Sequence, residues 1–185
     1  MINFYVTIIF TLLLLSPSSL SAGAAASHTE YQKTGDYISA AFAGQPAVQG
    51  ILWITRDIKP GVTKILQRKN FPLRYRYHRM GNRTVWILNE IGKVMPITTG
   101  ITIEEDKIID LTVLTYRESH GSEIRFPAYS NQYNAVQLNK NLRLSKAING
   151  ISGATLSTNA MKKVSRLALY LHNKLLEKDV PTTEK

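Results

Sequence analysis

From Phe71 the chain alternates with a period of two. Phe71, Leu73, Tyr75 and Tyr77 take turns with Pro72, Arg74, Arg76 and His78, which predicts a half-buried strand with a basic outer face. Gly81-Asn82 is a hairpin turn signal, and Thr84 to Leu88 reads as the return strand. A second hairpin is predicted from Pro96 to Ile103 and Ile108 to Tyr116, around the solvated tip Glu104-Glu105-Asp106-Lys107. Near the end of the chain the period lengthens. Over Asn159 to Glu177, Met161, Val164, Ala168, Leu171 and Leu175 fall on one helical stripe, and Lys162, Lys163, Arg166 and Lys174 lie off it. Such a stripe must be buried against a sheet. Upstream, Thr34 or Asp36 is placed to cap a short helix through Ile38, Ala41 and Phe42. Ile51 to Ile54 fits either a strand or a helical turn. Pro60-Gly61 reads as a turn before a helical turn at Val62, Ile65 and Leu66. Ser130 to Leu138 is weakly helical. The fold expected is α+β: a mainly antiparallel sheet with packed helices, in a single domain.

The first 26 residues have a different character. Phe4 to Leu15 is an apolar run of signal-peptide length, short for a membrane span, and small residues at Ala22 to Ala26 follow it. No Lys or Arg precedes the run. We read residues 1–26 as a signal peptide, residues 27–49 as an N-terminal segment with a short helix, residues 50–178 as the domain, and residues 179–185 as a tail that frays at Pro181. The mature chain is then expected outside the cytoplasmic membrane, periplasmic or on its outer face; an uncleaved anchor is the alternative.

Charge and composition narrow the chemistry. The 185 residues carry a net charge of +10 and no cysteine. Disulfides, thiolate metal sites and a thiol nucleophile are excluded. His28, His78, His120 and His172 lack ligand spacing, so no metal site is expected. The basic balance favours anionic partners: lipid headgroups, acidic proteins or a phosphate-bearing cofactor. Arg74, Arg76, Arg79 and Arg83 form the densest basic patch, but the tyrosines alternating with the first of these fall on the opposite face. A stacking platform for nucleic acid is therefore not expected. No G-x-S-x-G elbow, P-loop or dinucleotide fingerprint is present.

One stretch is left over, Ser152-Gly153-Ala154-Thr155-Leu156-Ser157-Thr158, directly before the long helix. Gly153 permits a tight turn or a close backbone approach. Ala154 keeps the surroundings uncluttered, and Thr155 offers a hydroxyl on a stiff side chain. Ser157 or Thr158 is expected to cap the helix, whose N-terminus attracts phosphate. A second polar stretch, Arg117-Glu118-Ser119-His120-Gly121-Ser122-Glu123, ends the last predicted strand. From its residues alone it reads as an ordinary turn with a Glu–Arg surface pair.

Asn149-Gly150-Ile151-Ser152-Gly153-Ala154-Thr155-Leu156-Ser157 resembles the flavinylation motif of FMN-binding domains, found in the G and C subunits of the Rnf and sodium-translocating NADH:quinone reductase complexes and in small exported FMN carriers. The resemblance extends to Tyr116–Arg125, and to Trp86–Lys93 with Pro96-Ile97-Thr98, and covers roughly residues 50–172. It implies FMN as cofactor, joined by a phosphoester to Thr155 through an FMN transferase that uses FAD and magnesium. It places Ser152, Gly153, Ala154, Leu156, Ser157 and Thr158 around the attachment point and Glu118, Ser119 and His120 beside the flavin. Asn149 stands where the family pattern has Asp; with the rest of the motif intact, covalent attachment is the expectation and non-covalent binding the alternative. The expected function is electron relay between a membrane redox protein or cytochrome and extracytoplasmic acceptors, with membrane association open, as a carrier rather than an enzyme with its own substrate. The alternatives are a non-covalent FMN-binding sensor and a basic adhesion or structural domain without cofactor.

Overall fold

Two tight turns shape the β-rich middle of the chain. In the computed structural model, which describes residues 29–179, β3 (Arg74–Met80) and β4 (Arg83–Ile91) flank Gly81-Asn82, with Gly81 at φ +59°. β5 (Pro96–Glu104) and β6 (Lys107–Tyr116) flank Glu105 and Asp106, at φ +49° and +60°. Two positive φ angles make the turn whose twist matches that of paired strands. β1 (Thr29–Glu30) and β2 (Val48–Trp53) complete one sheet in the order β1-β6-β5-β4-β3-β2, antiparallel throughout. The signal-peptide reading falls on residues outside those described.

Strand alternation divides the core in two. Trp86 and Leu88 of β4, with Ile97, Ile101 and Ile103 of β5, join the larger cluster, which holds α2 (Lys59–Leu66) and α4 (Thr155–Asp179). Val85 turns to the other face, where α1 (Thr34–Ala41) contributes Tyr37 and is followed by Phe42. The α4 stripe of Met161, Val164, Ala168, Leu171 and Leu175 is buried as its period requires. Between β6 and α4 the chain makes α3 (Pro127–Ser130), a 3-10 turn (Asn131–Tyr133) and extended backbone.

Several local expectations shift. Pro60 and Gly61 lie inside the first turn of α2 instead of ahead of it. Proline is harmless there because a first-turn N–H has no helical partner to lose. Gly61 is required because a Cβ would fall 2.2 Å from the ring of Tyr170, whose hydroxyl donates to Ile58 O at 3.1 Å. The run at Ile51 is the edge strand β2. Neither Thr34 nor Asp36 caps α1, whose N-cap is Lys33 without a side-chain bond. The basic patch is dispersed: Arg79 pairs with Asp179 at the end of α4, while Arg83 pairs with Glu104 on the α1 side and donates to Ala41 O.

The α4 face also contains a buried ion network. Glu90 is 3% exposed; both oxygens accept from Arg68 at 2.7 Å, and Lys163 Nζ lies 3.7 Å away. Removing Arg68 leaves this carboxylate with one distant partner. Arg68→Met is expected to destabilise the fold by about 2 kcal/mol, read as a lower urea midpoint at unchanged m-value. Arg68→Met/Glu90→Gln should recover part of the loss; strictly additive losses would show the pair to be uncoupled.

Candidate functional site

The start of α4 has an unusual cap. Ala154 O accepts the first intrahelical bond, from Thr158 N at 2.9 Å, so Ala154 occupies the N-cap position. Alanine has no side-chain oxygen to offer. Gly153, at φ +79°, and the Ala154 N–H to Ile151 O bond of 3.0 Å close a tight turn ahead of it. The N–H groups of Thr155, Leu156 and Ser157 consequently find no protein acceptor among the described residues. Three free donors at the positive end of a 25-residue helix form a ready anion cradle.

The hydroxyls divide their roles differently from the expected capping. Thr158 Oγ1 donates backward to Thr155 O at 2.9 Å, a bond within the helix that leaves the free donors alone. Ser157 Oγ donates to Tyr116 Oη at 3.0 Å, because the Tyr116 proton is given to His120 O. Burial pushes the Tyr116 phenol up, which keeps that proton in place, although Ser157 opposes the shift. Neither Ser157 nor Thr158 caps α4. The Thr155 hydroxyl makes no hydrogen bond among the described residues, and its residue is exposed.

A second loop is clamped onto this turn. Gly121 has φ +88°, and a Cβ there would meet Tyr116 Oη at 2.9 Å, Ala154 Cβ at 3.0 Å and Ser157 Oγ at 3.1 Å. Only glycine permits both this backbone and this proximity. Just before it, Glu118 Oε1 accepts the backbone N–H groups of Lys93, Val94 and Met95 at 2.6, 2.7 and 2.9 Å. Desolvation raises the carboxyl pKa, but these three donors and the Lys93 charge outweigh it, so the group is held below the usual carboxylate range. Glu118 thus pins the β4–β5 loop and holds Lys93 at the site. Arg117 crosses to Pro96 O and Thr98 Oγ1 at 3.0 and 2.9 Å, so among the described residues it forms no surface pair with a glutamate. In Glu118→Ala the three amides lose their charged acceptor. Hydrogen exchange at Lys93 to Met95 should accelerate about tenfold or more, with β5 core amides unchanged.

These elements enclose an open cleft of about 490 Å³ lined by Lys93, Glu118, Ser119 and His120 on one side and by Gly153 to Ser157 on the other. Ser119 Oγ and His120 Nδ1 are 2.8 Å apart on its exposed rim. The structure therefore brings together the residues of both loops named from the sequence, except two. Ser152 is exposed on the turn outside the lining, and the Thr158 hydroxyl is directed into the helix. Asn149 also stays outside; its N–H donates to Gln132 Oε1 at 2.8 Å. Nothing in the residue pattern marks Lys93; its one signal in the sequence is position, within the stretch that resembles the family. Tyr116 and Gly121 were likewise passed over; the positive φ of the glycine is visible only in three dimensions. Among the described residues no cluster of His, Cys, Asp or Glu has the arrangement of a metal site.

A cleft of this size, with a cationic side chain, a free hydroxyl and unpaired N–H donors, defines a domain for a phosphate-bearing cofactor. Residues 92–170 match the family model described as FMN-binding domain. The match spans every residue that lines the cleft, so the chain carries an FMN-binding domain and its cofactor is FMN. No curated protein and no solved structure matches the chain. The residues fit the cofactor: the free donors of α4 and Lys93 suit a phosphate, and Leu156, half exposed at the rim, offers apolar surface to a flavin ring.

Proposed function

We propose that this protein is an exported electron carrier whose FMN is joined to Thr155 through a phosphoester. The observation that carries the reading is the Thr155 hydroxyl: exposed, unbonded, and one residue past a cap that leaves three N–H groups free. In the linking step a transferase presents FAD. Thr155 Oγ1 attacks the phosphorus on the flavin side, the P–O bond to the AMP half breaks, AMP leaves, and the hydroxyl proton passes to a base of the transferase. Thr155, Leu156 and Ser157 N–H groups and Lys93 then balance the charge of the phosphodiester. Glu118 fixes the Lys93 loop, and the Gly121 clamp holds the His120 loop against the helix start. FMN, when bound, supplies the redox chemistry, and the protein tethers and orients it. Outside the cytoplasm such a bond prevents loss of the cofactor. The electron donor is a membrane redox protein or cytochrome in this reading.

The test is to co-express the full chain with an FMN transferase, denature it, and separate protein from small molecules. Flavin that stays with the protein, with one FMN moiety added to the intact mass, is the expected result. Flavin released to the supernatant would support the second reading, a non-covalent FMN-binding sensor, which Asn149 in place of the family's Asp favours. A colourless chain would return the adhesion or structural reading.

A further inference from the structure

Between Glu123 and Glu177 the chain contains eight lysines and arginines and not one Asp or Glu. The fold gathers most of this charge beside the FMN cleft. One groove of about 360 Å³ is lined by Lys162, Lys163 and Arg166 together with Ile91 and Leu156, and Leu156 also lines the FMN cleft. A second groove of about 290 Å³ continues it with Arg143 and Lys146, sharing Lys162 and Arg166. Among the described residues only Lys163 of these five cations meets a carboxylate, that of Glu90. Lys146 and Arg166 reach backbone carbonyls, of Asn134 and Leu142. Burial, and then the neighbouring charge of Arg143, pushes the Arg166 guanidinium down. The cations thus repel one another, which works against the fold. At the same border Ile91, Val94 and Leu156 are 56%, 69% and 51% exposed. The surface is apolar at the mouth of the cleft and basic around it.

We infer that this face, from Ile91 and Leu156 out to Arg143 and Lys146, docks an acidic electron-transfer protein with its redox centre against the mouth of the FMN cleft. The inference rests on the electron-carrier reading. Complementary charge steers encounter and sets orientation, while the apolar contacts at the cofactor's edge exclude water. Two observations favour a protein over a lipid surface. The face is grooved, so it receives protruding side chains better than it lies on a plane. Moreover, the apolar stripe of α4 that would enter a bilayer is already spent in the core.

The experiment mixes the FMN-loaded full chain with a pre-reduced acidic ferredoxin in a stopped-flow spectrometer. One electron leaves the iron–sulfur cluster, which is oxidised, and reduces the flavin, whose blue absorption fades. The second-order rate should fall about tenfold or more from low ionic strength to about 0.5 M salt. Arg143→Glu/Lys162→Glu should lower the low-salt rate about tenfold, and Arg143→Lys/Lys162→Arg should leave it unchanged. A rate indifferent to salt and to the charge reversal overturns the proposal. So does a reversal that abolishes co-sedimentation with phosphatidylcholine–phosphatidylglycerol vesicles but spares the ferredoxin rate, because the face is then a lipid surface. Ferredoxin binding to the flavin-free Thr155→Ala chain separates the two levels. Binding that is weakened by the reversal, with no electron transfer in the loaded chain, keeps the docking face and rejects the carrier.

Discussion

Thr155→Ala is expected to abolish all flavin that survives denaturation, whereas Thr155→Ser retains it. Alanine at the first position of α4 is an excellent helix former, and the residue is exposed. The helix, the Ala154 cap and the free N–H groups therefore persist in Thr155→Ala, and the stability read from the urea midpoint should change by less than about 0.5 kcal/mol. Only the attacking oxygen is gone. Serine restores that oxygen without the γ-methyl, so loading continues, more slowly if the threonine rotamer matters to the transferase. Ser157 cannot substitute, because it is buried and its proton is committed to Tyr116. Nor can Thr158, which is buried and bonded to Thr155 O. Covalent flavin in Thr155→Ala, located by peptide mass spectrometry on Ser157, Thr158 or Ser152, would overturn the assignment. Loss of fold together with loss of flavin would be visible in the midpoint, so the two effects remain separable.

The legible and the illegible parts of this site differ in physical kind. The period-two strands and the α4 stripe were readable because burial on one face imposes a period on the sequence. The tight turn before Thr155 was readable too, since Gly153 answers to its own positive φ, a local demand. Capping was misjudged because a hydroxyl near a helix start has several bonds to choose from. Here Ser157 lies within reach of Tyr116, which arrives from β6 some forty positions earlier, and that tertiary partner decides. Pro60-Gly61 was misread for a similar reason: the glycine answers to Tyr170 at the far end of the chain, not to a turn. Glu118 was named, but only the fold shows what it holds. Its three partners are backbone N–H groups of a loop about 25 residues earlier, and no side-chain pattern marks them. Resemblance supplied the cofactor, and geometry supplied the reason those residues suit it.

At the far end of α4 a fully buried imidazole should make the fold acid-sensitive. His172 lies 17 residues beyond Thr155, roughly 25 Å along the helix. Trp86 Nε1–H donates to Thr84 Oγ1 at 2.9 Å, and the same hydroxyl lies 2.7 Å from His172 Nδ1. The Asp106 carboxylate on the Nε2 side favours the hydrogen there, which leaves Nδ1 to accept from the Thr84 hydroxyl. Nε2 carries the hydrogen and faces Asp106 Oδ1 at 3.5 Å, too far for a good bond. Protonation would turn Nδ1 into a donor and take away the acceptor of the Thr84 hydroxyl proton. Burial accordingly pushes the imidazole down to about 4, with Asp106 opposing and Arg79 assisting. An unfolded chain takes up this proton near the ordinary value of 6.5. The folded state therefore keeps its full advantage above that value and loses it as the pH falls towards 4, by about 3 kcal/mol in all. The check is the urea midpoint of the full chain at pH 7.5 and near pH 4.5, against His172→Gln. The variant should be less stable at the higher pH, because the Thr84 bond is disturbed, yet its loss on acidification should be about 2 kcal/mol smaller than in the wild type. Carboxylates remote from His172 act on both chains and cancel in that difference; Asp106, which faces the ring, belongs to the His172 effect itself. An equal loss in the two chains would mean that the acid sensitivity arises elsewhere. Flavin loading at pH 7.5 should be the same in both, since His172 and Thr155 share a helix but no contact.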